Sequence, residues 1–209
     1  MRIFAVALFF VFVNGSSIAR QVSLPAAEPS YNSSYPKYRY DLRAPSLQQI
    51  DFRNLKVFWF AGEQPDSGAK LRNGTFERKA DSGYERVDLD FVKFFGSTAS
   101  KEQYAVIDLK WWDCGGSCTV VGRVQVFELE AGHPTVVQEI EYDRHAPRTG
   151  SHFDARTKTL TIVSRSNDRT PNCCPKNLDV LRFDWNGERF VFRESETIPA
   201  SSALSSLKR

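Results

Sequence analysis

The sequence has no long hydrophobic run apart from Ile3–Val13, and that run is short. A helix needs about 20 apolar residues to cross a bilayer, which argues against a membrane anchor. With Arg2 before it, Ser17-Ile18-Ala19 after it and no cysteine nearby to be acylated, the run is typical of a secretory signal peptide. We therefore expect residues 1–19 to be removed, leaving a soluble chain that is exported to the periplasm or the extracellular space without a membrane attachment.

An excess of charge of one sign is also missing. Lys and Arg number 28 against 25 Asp and Glu, and loss of the signal peptide lowers the net charge from +3 to about +2. The basic residues are scattered among acids, whereas a nucleic-acid-binding protein usually gathers them on one face. We therefore expect no nucleic-acid partner and interpret the charged residues as solvated faces of strands.

Motifs for catalysis and for metal binding are absent as well. The sequence has no Gly-x-Ser-x-Gly nucleophile elbow, no Cys-x-x-Cys pair, and no metal-binding spacing among His133, His145 and His152. Segments 143–145 and 151–154 contain the residue types of a hydrolase triad, but we interpret them as polar loops. The sequence therefore predicts no catalytic residue, no metal ligand and no cofactor.

What the sequence does contain is a series of segments with alternating or β-branched and aromatic residues, the pattern of β-strands. Asn73-Gly74 and Asn186-Gly187 are typical of two-residue hairpin turns, in which both residues need positive φ. In the segment 84–95, Val87, Leu89 and Phe91 are expected on one face. The predicted strands are 55–60, 84–95, 104–109, 120–129, 135–142, 159–164, 178–185 and 189–192.

These segments define the expected fold class and boundaries. We predict a mainly β protein, in which an antiparallel sheet forms a sandwich or a partly closed barrel, with at most one or two short helices. Helical periodicity is weak and confined to Ser46–Leu55. Residues 20–38 and 197–209 lack an apolar period, so we expect a flexible leader, a single domain over residues 39–196 and a disordered tail.

The four cysteines are Cys114, Cys118, Cys173 and Cys174. An even number in an exported chain favours disulfides, and three pairings are possible. A Cys114–Cys118 bridge would leave Cys173 to pair with its sequence neighbour Cys174 in a strained ring, so we favour two bridges that cross-link the two loops. Four thiolates around zinc are the less favoured alternative, because successive side chains on a strand point to opposite faces.

The adjacent residues Trp111 and Trp112 are the candidate binding residues. Neighbours on a strand face opposite ways, so one indole is expected in the core while the other is exposed. An exposed Trp at a loop edge can stack on a sugar or on a partner surface. The competing interpretation is that neighbouring loops cover both rings.

Four short motifs occur in order along the predicted domain: Leu71-Arg72-Asn73-Gly74, Gly115-Gly116-Ser117, Asn172-Cys173-Cys174-Pro175 and Phe183-Asp184-Trp185-Asn186-Gly187. Together with the strands between them, they resemble a family of uncharacterised exported bacterial proteins. The resemblance covers roughly residues 50–192 and implies the fold and the export, with no activity attached. The Cys-Cys-Pro segment alone is more loosely similar to LppP/LprE-type lipoproteins.

In that family an acidic loop, similar to the calcium loops of FG-GAP and VCBS repeats, follows a Tyr/Phe-Gly pair. The corresponding segment here is Gly96–Gln103, in which Glu102 is the only carboxylate. Because a hard cation needs several oxygen ligands with net negative charge, we expect no calcium binding at this loop.

The leading functional hypothesis is an exported, non-enzymatic binding or interaction module with an unidentified envelope or extracellular partner. It rests on the missing catalytic motifs and on aromatic residues beside cysteine-containing loops. The alternative is an extracellular hydrolase that acts on cell-wall or secreted polymers with Asp, Glu and His residues assembled only by the fold. A third possibility is a purely structural envelope protein.

Overall fold

A computed structural model shows how these segments are arranged. It describes residues 31–35, 38–58, 68–80, 83–96, 103–115, 117–166 and 174–202. The expected signal peptide, residues 97–102 of the loop expected not to bind calcium, and Cys173 lie outside the described residues.

Nearly all regular structure is strand, so the mainly β fold class is confirmed. Short 3-10 turns cover Leu47–Gln49, Phe52–Asn54 and Ala200–Ser202. Among the residues that the structure describes, no helix is long and apolar enough to span a bilayer. The strands are β1 Tyr31–Ser34, β2 Tyr38–Arg39, β3 Lys56–Val57, β4 Ala69–Lys70, β5 Thr75–Ala80, β6 Gly83–Gly96, β7 Gln103–Cys114, β8 Cys118–Glu130, β9 His133–Asp143, β10 Gly150–Asp154, β11 Thr159–Arg165, β12 Asn177–Trp185 and β13 Phe190–Pro199.

The strands form two antiparallel sheets that stack on one another. In the larger, which we call the large sheet, β9, β8, β7, β6 and β5 are neighbours in that order, and β1 and β2 both pair with the outer edge of β9. The small sheet has the order β10, β11, β12, β13, and β3 pairs with β4 separately. Neither main sheet closes into a barrel in the described part of the chain, so the arrangement is an open sandwich.

The large sheet is the middle of three layers because both of its faces are apolar. On β7, Val106 lies in a buried cluster with Ile162 and Phe183 of the small sheet. Its neighbour Ile107 points the other way, into a buried cluster with Leu47 and other residues of the segment between β2 and β4. A strand buried on both faces is apolar at consecutive positions, which explains the run Ala105-Val106-Ile107.

The ordered domain extends beyond both predicted boundaries. β1 lies within the predicted flexible leader, yet it pairs with β9 over residues 139–142. At the other end, β13 and the 3-10 turn after it continue to Ser202, inside the predicted disordered tail. Backbone pairing and apolar contacts hold both segments, although neither has an apolar period of its own.

The turn at Asn73-Gly74 is confirmed, with φ angles of 55° and 91°. Arg72 and Thr75 exchange backbone hydrogen bonds of 2.8 and 3.1 Å across it. The strands on either side belong to different sheets, however, because β4 pairs with β3 and β5 pairs with β6. The turn therefore passes the chain from the segment between β2 and β4, which we call the N-terminal layer, into the large sheet.

Candidate functional site

The two tryptophans lie on opposite faces of β7. Trp111 is 2% exposed and packs in the core beside the N-terminal layer. Trp112 is half-buried on the other face. Lys110 Nζ lies 4.3 Å from its ring centre and the Arg86 guanidinium 5.5 Å from it. The Trp112 ring is therefore already in contact with two cations of the chain itself.

The cysteine pairing differs from the predicted one. Cys114 and Cys118 form a disulfide across the β7–β8 hairpin, with their Cα atoms 4.0 Å apart. The cross-linking of the two cysteine loops is therefore wrong, since neither sulfur is left to bridge to residue 173 or to Cys174. The reason is register: the antiparallel hairpin places these two cysteines directly opposite each other, and sequence spacing alone does not reveal it.

The triad-like segment 143–145 is hydrogen-bonded to the backbone of this hairpin. His145 Nδ1 lies 2.9 Å from Asp143 Oδ1, and the backbone N–H of Val120 donates to His145 Nε2 at 3.0 Å. His145 Nε2 also lies 3.1 Å from the backbone oxygen of Cys118. Since backbone groups occupy Nε2, this histidine is not placed to activate a nucleophile.

A buried polar cluster lies between the two sheets at Asp108, whose exposed fraction is 1%. Tyr142 Oη donates to both carboxylate oxygens at 3.1 and 3.0 Å, and Ser151 Oγ donates at 2.8 Å. Arg144 Nη1 contributes a longer contact of 3.4 Å, while its Nη2 pairs with Asp90. We call Asp108, Tyr142, Arg144 and Ser151 the Asp108 cluster; it joins β7 and β9 to β10 of the small sheet.

Burial raises the pKa of Asp108 from 3.8 to about 6, although Arg144 and the Ser151 hydroxyl act in the opposite direction. Burial likewise raises the pKa of Tyr142 well above its ordinary value. A carboxyl group with a pKa near neutrality is a frequent sign of a general acid or base. Here the carboxylate is enclosed and hydrogen-bonded to three side chains, so a substrate has no access to it in this conformation.

A second buried charge cluster lies on the opposite face of the large sheet. Arg123, which is 2% exposed, pairs with Glu139 at 3.2 Å and with Glu141 at 2.6 Å. Gln125 Nε2 donates to Glu139 at 2.7 Å. Burial raises the pKa of Glu139 despite these partners. The expectation that charged residues on the strands are solvated is therefore wrong for Arg123.

An open groove lies where the edge strands of the two sheets meet. We call it the edge groove, and its volume is about 210 Å³. Alternate residues from the β1 side contribute one wall, and the start of β13 with a residue of β12 contributes the other. Its lining residues are Tyr31, Ser33, Tyr35, Phe183, Arg189, Phe190, Val191 and Phe192.

The edge groove exposes apolar surface and one cation. Tyr35 and Val191 are 53% and 44% exposed, and they are the exposed large hydrophobic residues of the described chain. The guanidinium of Arg189 lies 4.9 Å from the ring centre of Tyr35. No acidic side chain among the described residues forms an ion pair with Arg189. The groove is therefore an apolar surface with an uncompensated positive charge at its rim.

The side chain of Gln138 on β9 is hydrogen-bonded to two of the residues that line the edge groove, Phe190 and Ser33. Its Oε1 accepts the backbone N–H of Phe190 at 2.7 Å, and its Nε2 donates to the backbone oxygen of Phe190 at 2.8 Å. It also donates to Ser33 Oγ at 3.3 Å. One fully buried amide thus links β1, β9 and β13.

Sequence reasoning missed the groove residues. Tyr31, Ser33 and Tyr35 alternate as on a strand, and this is the signal that could have identified them, but their Ser-rich surroundings favoured a leader. Arg189 and Val191 follow the Asn186-Gly187 turn, where a solvated charge is ordinary. Their proximity to β1 follows only from the pairing of β1 with β9, which lies far away in the sequence.

The fold and these sites define the chain as an open, three-layered antiparallel β-sandwich with an apolar groove at one edge. No family model matches the chain, and no curated protein or solved structure is significantly similar to it.

Proposed function

We propose that this protein is an exported, non-enzymatic binding module whose ligand occupies the edge groove. The observation that carries the proposal is the pair of exposed apolar side chains, Tyr35 and Val191, beside Arg189, which forms no ion pair with an acid of the described residues. An exposed apolar patch with a polar or charged rim is typical of interaction sites.

The groove supports a particular ligand chemistry. Its aromatic walls favour an apolar group, and Arg189 favours a negative charge next to that group. Its volume of about 210 Å³ is below the range of roughly 300–1,000 Å³ that is usual for small-molecule pockets. The groove therefore suits one apolar group of a larger ligand better than a whole cofactor or sugar chain.

The alternative, a hydrolase, has less support. The raised pKa of Asp108 and the contact between Asp143 and His145 resemble parts of an active site. However, Asp108 is enclosed, and the second ring nitrogen of His145 already contacts backbone groups. Neither of these groups is positioned to meet a substrate and a nucleophile together.

Export is part of the proposal and rests on the leader sequence. N-terminal sequencing of the protein recovered outside the cytoplasm should give Arg20 as the first residue. Recovery of a chain that still begins with Met1 would show that the leader is not a cleaved signal.

Binding can be tested with an apolar anion, the dye anilinonaphthalene sulfonate, titrated into the full mature protein and followed by fluorescence. We expect one saturable site, about fivefold weaker binding in Arg189→Ala and no saturable binding in Val191→Asp. Arg78→Ala, which removes an exposed arginine on β5 at the opposite edge of the large sheet, is the matched control and should bind as the wild type does. Equal binding by all four proteins, or none by the wild type, would contradict the proposal.

A further inference from the structure

We propose that the ligand of the edge groove is an extended peptide that adds as a strand to the outer edge of β13, with an apolar side chain in the groove and a carboxylate beside Arg189. This inference rests on the proposed function and specifies its partner. Its support comes from the backbone of β13, from the shape of the groove and from its charge.

The backbone contribution follows from the position of Gln138. Because its amide pairs with both backbone groups of Phe190, those groups point away from β12. The direction of the backbone N–H and C=O groups alternates along a strand. Those of Val191 therefore face β12, whereas those of Phe192 face outward, as those of Phe190 do. Within the described residues no strand pairs with this edge. Gln138 occupies the position of one peptide unit of a neighbouring strand, and the next position, at Phe192, is open.

The second line of support is the way in which side chains alternate along an added strand. Every second side chain of such a strand points to the same face. One apolar side chain would lie between Tyr35 and Val191, the two exposed large hydrophobic residues that line the groove. Strand addition with one pocket-bound side chain is a recurring mode of peptide recognition, in which main-chain hydrogen bonds give affinity and the pocket gives specificity.

The charge contribution distinguishes the two ends of β13. Further along the strand, Glu194 and Glu196 pair with Arg182 on the outer face of the small sheet, at 3.1 and 3.8 Å. At the beginning of β13, Arg189 stacks on Tyr35 without an acidic partner among the described residues. A peptide with an acid close to its apolar side chain supplies the missing charge at that end.

The experiment uses fluorescein-labelled hexapeptides and the full mature protein, with affinity read from fluorescence anisotropy. The probe alternates Thr and Phe and carries one Glu; a second peptide has Lys in place of that Glu. We expect the Glu peptide to bind at least about tenfold more tightly than the Lys peptide, and this preference to disappear in Arg189→Ala but not in Arg78→Ala.

Backbone pairing is tested separately by moving a single N-methyl group along the Glu peptide. Methylation at alternate nitrogens, those that face β13, should weaken binding about tenfold, while methylation at the nitrogens between them should have little effect. In parallel, amide hydrogen exchange at Phe192 should slow at least about tenfold when the peptide is added. The amide of Val191, which already pairs with β12, serves as the internal control.

The outcomes separate this inference from the proposed function. Tight, Arg189-dependent binding that is insensitive to N-methylation and leaves exchange at Phe192 unchanged would overturn strand addition and leave a binding module that contacts side chains only. Dye binding without binding of either peptide would overturn the peptide partner. Failure of the dye and of both peptides would overturn the proposed function as well.

Discussion

The Asp108 cluster and the edge groove each contain an ionisable group beside a tyrosine, but the two groups differ in whether they have polar partners within the chain. Asp108 has three donors from Tyr142, Arg144 and Ser151 and is shut between the sheets. Arg189 rests on Tyr35 in the open, with no acid to neutralise it among the described residues. A buried charge must find its partners within the chain, whereas an exposed one can leave a place for a partner from outside. The enclosed site therefore contributes to stability, and the open site is the one that we propose for recognition.

The largest expected effect on stability is at Gly122, which packs against the Tyr142 ring of the Asp108 cluster. Gly122 faces Tyr142 across β8 and β9, and a Cβ atom there would lie 2.1 Å from Cζ of the ring. Gly122→Ala should therefore displace the ring and lower the free energy of unfolding by about 3 kcal/mol or more, measured by urea denaturation. In a Tyr142→Ala background, where the ring is gone, the same substitution should cost less than about 1 kcal/mol. An equal cost in both backgrounds would mean that the ring is not the obstacle.

The second test uses pH. The folded pKa of Asp108 is raised from 3.8 to about 6, so the folded protein keeps this proton at pH values where the unfolded chain has lost it. The stabilisation that results is fully present below about pH 4 and is lost as the pH rises through about 6. Wild type should lose about 2 to 3 kcal/mol of stability relative to Asp108→Asn between pH 4 and 7, because the variant lacks this titration.

Unfolding by urea at intervals across this pH range gives the difference between the two proteins, in which the other acids cancel. A difference that stays flat, or that grows in favour of the wild type as the pH rises, would show that the enclosed site does not behave as its geometry implies.

A smaller effect is expected at the disulfide, which closes the tip of the two strands that carry Asp108 and Gly122. Cys114 and Cys118 are only four residues apart, so the loop-entropy model gives a contribution of about 2 kcal/mol. Replacing both with Ser should lower stability by that amount without altering the pH difference at Asp108. Peptide mapping under non-reducing conditions should recover the two cysteines in one bridge, and a bridge from either of them to residue 173 or Cys174 would contradict this structure.

The smallest effect is expected at the edge groove. Tyr35→Ser and Val191→Asp alter side chains that are about half exposed, so each should change the free energy of unfolding by less than about 0.5 kcal/mol. Tyr84→Ser, a change to a half-buried tyrosine on β6, provides a matched comparison for the first variant. A loss above about 1.5 kcal/mol at either groove residue would make the groove part of the core and weaken its assignment to recognition.

Most strands were predictable from the sequence, because alternation and aromatic content report a half-buried pleated surface locally. The prediction became inaccurate where the pleat is interrupted. Val87 and Leu89 lie on the expected face of β6, but a bulge at Asp90 moves Phe91 to the opposite face. A bulge inserts one residue and reverses the pattern after it, and nothing in an alternating sequence marks the point of insertion.

Neither site could be predicted from local patterns in this way, since both depend on contacts between distant segments. Asp108 lies within an apolar strand and meets Ser151 only because the small sheet stacks on β7. The polar composition of the segment around Ser151 predicts a loop, whereas the segment is strand β10 and pairs with β11. Likewise, the Tyr35 side of the groove depends on where β1 pairs. Local sequence patterns predict the strands, whereas the register of the strands and the stacking of the sheets determine which side chains meet at each site.

The pairing of β1 with β9 also has a consequence for the order in which the molecule forms. Strands β5 to β9 are joined to their neighbours by short connections, so their contacts are local, whereas β1 must find a partner more than a hundred residues away. Contacts that close such long loops tend to form late in folding. The wall of the groove built on Tyr31 and Ser33 is therefore expected to assemble after strands β5 to β9 have paired. A folding intermediate could then have a nearly complete core and still be unable to hold a ligand, so binding competence would mark the last step of folding.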